Sequence, residues 1–161
     1  MPAYEISPEL DALSCELIGA AIGQLEDEHK LPVLLAVDCE DDFFAFEDDT
    51  PDGCYRAACQ HVADLGSACT RYALVYDGVI QEDDSDSGHP AIILEFAERD
   101  MSHAWSGYLL YRYTDDGIVE VSDPFPAGME VPLFSQRRAI DPPACSLASR
   151  AWYPFRLLKY E

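Results

Sequence analysis

Cations are scarce in this chain. Ten lysines and arginines stand against 31 aspartates and glutamates, for a net charge of −21. An ordinary nucleic-acid or anionic-membrane ligand would be repelled over a Debye length of about 8–10 Å. Neither is therefore expected as a partner, whereas a basic protein would be attracted. Long apolar runs are missing too. "LPVLLAV" and "AIIL" fall far short of the roughly 20 residues that a membrane span requires. The start of the chain, "MPAYEISPELD", has neither the basic stretch nor the apolar core of a signal peptide, so the expected location is the cytoplasm. There the six cysteines, Cys15, Cys39, Cys54, Cys59, Cys69 and Cys145, are expected as free thiols, most of them small buried hydrophobes.

Several chemical signatures are absent. No P-loop, GxGxxG fingerprint or GxSxG elbow occurs, which removes the usual signals of nucleotide, dinucleotide and serine-hydrolase chemistry. Zinc ligands usually arrive in close pairs, but His29, His61, His89 and His103 are scattered and Cys54 to Cys59 has no second pair. Cys54 and His61 share one helical face, yet two ligands do not make a site. The expectation is a core cysteine and a surface histidine, and no cofactor is expected.

What is present is a globular composition, 48% hydrophobic and 11% aromatic over 161 residues. It predicts one domain over residues 1–161, with an ordered core at about 7–122 and an irregular, proline-rich tail over 123–161. "SPELDALSCELIGAAIGQLEDEHK" places Ser7 as an N-cap, Pro8 at the first helical position and Leu10, Leu13, Leu17, Ile18, Ala21 and Leu25 at helical spacing. "TPDGCYRAACQHVADLG" repeats this pattern, with Thr50 as cap, Gly66 as stop and Tyr55, Ala58, Cys59, Val62 and Leu65 on one face.

Between the helices, "LPVLLAVDCEDDFFAFE" reads as a hairpin of Val33–Asp38 with Phe43–Glu47, its first strand apolar on both faces. Further strands are predicted in "TRYALVYDGVIQ", where Asp77-Gly78 marks a tight turn or bulge, and in "AIILEFAE". A last hairpin turns at Asp116-Gly117 within "AWSGYLLYRYTDDGIVEV". "EDDSDSGHP" reads as an exposed loop. The prolines after Val121 predict no regular structure there, and the aromatic end of the tail predicts that it lies over the body. The expected fold is α+β. An antiparallel-rich sheet of about five or six strands carries two amphipathic helices, in the order α-β-β-α-β-β-β with one further strand. This order is similar to that of roadblock and longin-type domains, many of them dimeric scaffolds, with no motif in common.

"DCEDDFFAFEDDTPDG", Asp38 to Gly53, holds eight carboxylates. Asp48, Thr50, Asp52 and Gly53 occupy the first, third, fifth and sixth positions of a calcium loop. The twelfth, however, is Cys59 where a bidentate Glu is required, and Arg56 stands at the ninth. Asp48 and Asp52 are therefore weak metal candidates, and a helix start explains the segment.

For catalysis, the first stretch to examine is "LEFAERDMSH". Glu95 within an apolar strand could act as a general acid if buried, with Glu98, Arg99, Asp100 and His103 at the strand's end. The simpler expectation puts Glu95 on a solvated or edge face and pairs Arg99 with neighbouring acids. Residues 136–161 carry a net +3, leaving −24 on residues 1–135. Arg137, Arg138, Trp152, Phe155 and Arg156 are the expected interaction residues of this basic, aromatic tail. The reading that follows is a non-catalytic interaction or scaffold module that self-associates or binds a basic partner. The alternative is a small carboxylate-dependent hydrolase, with or without a divalent metal.

Overall fold

Ser7 and Thr50 start the two helices, each through a side-chain oxygen that accepts an otherwise unpaired amide. Ser7 Oγ accepts from Leu10 N at 3.1 Å, and Thr50 Oγ1 from Gly53 N at 3.0 Å. Such caps contribute about 1 kcal/mol each, and a proline follows each of them at the first helical position. The computed structural model describes residues 6–46, 50–81, 88–130 and 132–135. α1 spans Pro8–Glu28 and α2 spans Pro51–Leu65. α1 stops at His29, whose φ of 57° is left-handed, and α2 stops at Gly66, with φ of 60°.

The strands are β1 (Val33–Val37), β2 (Phe44–Phe46), β3 (Arg71–Ile80), β4 (His89–Glu98), β5 (Ala104–Tyr113), β6 (Val119–Val121) and β7 (Phe125–Glu130). They form one antiparallel sheet in the order β2-β1-β3-β4-β5-β6, and β7 also pairs with β5. β6 and β7 share the outer edge of β5 in series, at Tyr111–Tyr113 and at Ala104–Tyr108 respectively.

Because side chains alternate along a strand, the sheet has two apolar faces. Leu34, Ala36, Ala73, Val75, Ile92, Leu94 and Phe96 pack with Leu10, Leu17, Ala21 and Leu25 of α1. Val33, Leu35, Val37, Tyr72, Leu74, Tyr76 and Ile93 pack with Tyr55, Ala58, Cys59 and Val62 of α2. One helix thus lies on each face. The α+β class, the two helices and the strand order along the chain agree with the sequence expectation. No helix among the described residues is long and apolar enough to cross a membrane.

Three details differ. Asp77-Gly78 is neither turn nor bulge: β3 runs through it, with Asp77 opposite Ile92 and Gly78 opposite Ala91. Ladder pairing along ten residues outweighs the local turn preference of the dipeptide. The proline-rich segment after Val121 contains strand β7, in which Pro126 sits opposite Gly107 beside a register shift at Ser106/Gly107. An irregular edge position is where a sheet tolerates proline. Leu133–Ser135 adds a short 3-10 turn whose Leu133 is buried under Tyr72. The expected packing of the tail falls on residues 136–161, outside the described residues.

Gly88, just before β4, has φ of 96°, and a Cβ there would collide with Cγ1 of Val79. Gly88→Ala should cost about 1–3 kcal/mol through left-handed strain and overpacking, read as a lower urea midpoint at unchanged slope. An unaltered midpoint would refute the close approach.

Candidate functional site

β4 delivers the two glutamates singled out in the sequence, and strand alternation sends them to opposite faces. Glu95 points towards α2. It is 1% exposed, and it accepts hydrogen bonds from Tyr55 Oη at 2.8 Å and Tyr76 Oη at 2.7 Å. Burial, with the Glu95 charge adding to it, holds the Tyr55 phenol well above its ordinary value. Tyr55 therefore remains a protonated donor. The simpler expectation of a solvated or edge Glu95 is overturned, because β4 lies between β3 and β5 and α2 covers this face.

Glu98 points the other way, towards the start of α1. It accepts from Ser7 Oγ and from Arg71 Nε, the latter at 3.0 Å. His103 lies before β5, its ring edge-on to Trp105 with centroids 4.8 Å apart. Its Nδ1 lies 3.1 Å from Ser102 Oγ, and Nε2 is buried with no hydrogen-bond partner. Glu95 and Glu98 therefore do not converge on one reacting atom, as paired acid–base catalysis requires.

Arg99 also departs from expectation. Its guanidinium donates to backbone carbonyls, Gly66 O at 2.7 Å and Cys69 O at 2.8 Å, and lies 4.3 Å from the Phe134 ring. It thereby braces the short 3-10 turn, Gly66–Ala68, that follows α2. Arg71 takes the pairing role, with Glu98 on one side and Asp38 Oδ2 at 3.7 Å on the other. Asp38 also accepts from the Thr70 hydroxyl and from the amides of Thr70 and Arg71. Burial alone would raise the Asp38 carboxyl, but these hydrogen bonds outweigh it and hold the group below its ordinary value.

Among the described residues the thiols are not set up as nucleophiles. Cys54, Cys59 and Cys69 are buried, while Cys15 and Cys39 are exposed. Burial pushes the Cys69 thiol up to about 12 and that of Cys59 higher still, the reverse of what activates a cysteine. His61 is not the surface histidine expected: its ring packs between Phe44 and Phe46 at 4.1 and 5.8 Å. Among the described residues no group of three or more His, Cys, Asp or Glu could hold a metal ion. Asp48 lies outside the described residues, as do Arg137, Arg138, Trp152, Phe155 and Arg156. Asp52 falls in the first turn of α2, after the Thr50 cap.

Glu98, Arg99 and Asp100 line a small concavity with Thr70 and Arg71, and two larger ones lie elsewhere among the described residues. A cleft of about 720 Å³ runs over β4, β5 and β6, lined by His89, Leu110, Arg112, Glu120 and Ser122. Its rim is the exposed Arg112–Glu120 ion pair at 2.8 Å, a boundary that long solvated side chains do not hold firmly.

The second concavity, about 400 Å³, is a groove alongside α1. Asp11, Ser14, Cys15 and Ile18 form one wall because spacings of three and four bring them to one side of the helix. Buried Leu94 and Phe96 of β4 make the floor, and Ile6 and Pro124 close the ends. The volume suits a small ligand or one or two apolar side chains of a partner. Sequence reading had placed Ile18 on the packing face of α1 and had not found the groove. Its one local signal was Ser14, a polar residue within the apolar stripe of the helix.

Comparison with protein-family models, with curated proteins and with solved structures found no match to this chain.

Two outcomes follow from this geometry. Glu95→Leu removes the acceptor shared by Tyr55 and Tyr76 and should destabilise the fold by about 2–5 kcal/mol, against about 1 kcal/mol for Tyr55→Phe. Urea unfolding followed by circular dichroism measures both, and a Glu95→Leu variant as stable as the parent would show that the tie holds nothing. Asp38, held low in the fold, binds its proton at lower pH than in the unfolded chain. Its contribution is therefore present above the unfolded value and is lost as pH falls through the folded one. Stability curves of Asp38→Asn should lie below the parent at neutral pH and converge with it below about pH 4. A constant offset down to pH 2 would exclude the charge as the cause.

Proposed function

We propose that this chain is a non-catalytic interaction module whose acidic body receives a basic protein partner, with α1 as the receiving face. The observation that carries this is the charge of α1: Glu9, Asp11, Glu16, Glu26, Asp27 and Glu28, with no lysine or arginine in its 21 residues. Of these, only Glu26 is partly buried, its Oε2 accepting Val119 N at 2.9 Å, and the others are exposed. Like charges along one helix cost stability, so their concentration on the outward side of a well-packed helix favours a role in attraction. A cationic partner would associate faster and be held more tightly at low salt.

Self-association belongs to the same reading, with the basic tail of one copy as the cation for another, and the cytoplasm is the compartment it suits. The carboxylate-hydrolase alternative has less support, because Glu95 and Glu98 lie on opposite faces of the sheet and both are engaged in anchoring helices.

A fluorescein-labelled lysine–serine peptide, followed by anisotropy, tests the reading. Binding should weaken at least several-fold between about 50 and about 300 mM NaCl. The triple variant Glu9→Gln/Asp11→Asn/Glu16→Gln should bind roughly 3–10-fold more weakly than Glu40→Gln/Asp41→Asn/Asp42→Asn, which loses the same charge elsewhere. Equal losses from the two variants would remove α1 as the receiving face.

A further inference from the structure

From the groove beside α1 we infer that the basic partner is anchored by an apolar side chain, so that the preferred ligand is a segment alternating lysine or arginine with leucine-like residues. This rests on the reading of α1 as the receiving face and adds what that face selects. Charge alone would not distinguish one cationic segment from another. The groove does, because its lining is predominantly apolar: Ile6, Ile18, Leu94, Phe96 and Pro124.

The apolar floor continues past the groove. Phe96 pairs with Trp105 on β5, and Trp105 in turn with Met129 on β7, so the three side chains share the α1 face. Met129 is 60% exposed. A chain lying along α1 would cover this strip while its cations meet Asp11 on the groove wall and Glu9 and Glu16 on the outer side of the helix.

Ser14 supplies an independent sign. It is 5% exposed, and its Oγ is buried with no hydrogen-bond partner. Such groups are few in folded proteins. A rotation about χ1 would let it meet a peptide group of an occupant in the groove. An acidic head group is disfavoured there: Asp11 lies close enough that its charge adds to burial in raising the Cys15 thiol. An anionic amphiphile is thus a poorer fit than a cationic peptide.

Cys15 makes the proposal testable without altering the chain, because it lines the groove and is exposed, while Cys39, also exposed, is not part of the groove lining. Two labelled peptides of equal charge are compared on the full chain, one of lysine and leucine, the other of lysine and serine. Burial of one apolar side chain predicts roughly tenfold tighter binding of the leucine peptide. N-ethylmaleimide labelling mapped by mass spectrometry should slow several-fold at Cys15 and stay unchanged at Cys39 when the leucine peptide is bound. Cys15→Trp, which fills the groove from its exposed side, should abolish the leucine peptide's advantage over the serine peptide. Equal affinities with Cys15 unprotected would overturn the groove as an anchor while leaving the charge reading in place. If neither peptide binds, both fall.

Discussion

The carboxylate of Glu95 is the contact on which the α2 half of the molecule depends. Tyr55 arrives from α2, Tyr76 from β3 and Glu95 from β4, and the two tyrosine hydroxyls end on one buried carboxylate. A charged or polar group so deep is tolerated only when its hydrogen bonds are made. The position of α2 is therefore specified by a polar contact in addition to apolar packing, which by itself is non-directional. Arg99 completes the placement from the other end of the helix, holding the carbonyls of Gly66 and Cys69.

α1 is held in a comparable way on the opposite face, at both ends. Its first turn is tied to β4 through Ser7 and Glu98. Its last turn is tied to the β5–β6 hairpin, where Tyr113 Oη donates to Leu25 O at 3.2 Å and Glu26 accepts Val119 N. Between these ends the helix packs mainly over β3, β1 and β4. Leu94 and Phe96 of β4 are left beside it to floor the groove. A rigid helix with acids on its outside and an apolar recess along its flank is a surface prepared in advance, and preorganisation lowers the entropic cost of binding.

Among the described acids, Glu95, Glu98, Asp38 and Asp77 are tied into the fold. Those four are engaged by tyrosine hydroxyls, arginine or backbone amides. The acids of α1 other than Glu26 and those of the Glu40–Asp42 turn are exposed to solvent, where their mutual repulsion is screened and modest. Their combined field nonetheless acts at the range over which partners are first attracted.

Much of the fold was legible locally. Ser7-Pro8 and Thr50-Pro51 mark helix starts because capping and proline geometry involve only neighbouring residues, and the spacing of Leu10, Leu17, Ala21 and Leu25 is itself the buried stripe of α1. The Asp116-Gly117 turn was legible for the same reason, with Gly117 at a φ of 81°. Where local preference and ladder pairing disagreed, at Asp77-Gly78 and Pro126, pairing decided, and pairing depends on residues far away in the chain. The candidate site was less legible still. Glu95 and Glu98 are three residues apart in sequence, yet the pleat of β4 separates them by the thickness of the sheet. Asp11, Ile18, Leu94 and Pro124 are distant in sequence and meet only because α1 is laid beside β4. Composition, charge and the two helices belong to the sequence by itself, since each follows from residue identity and short-range geometry. Which carboxylates are buried, which arginine pairs with them, and where an apolar groove opens were decided only by tertiary structure, because each requires groups from separate elements to occupy the same few ångströms.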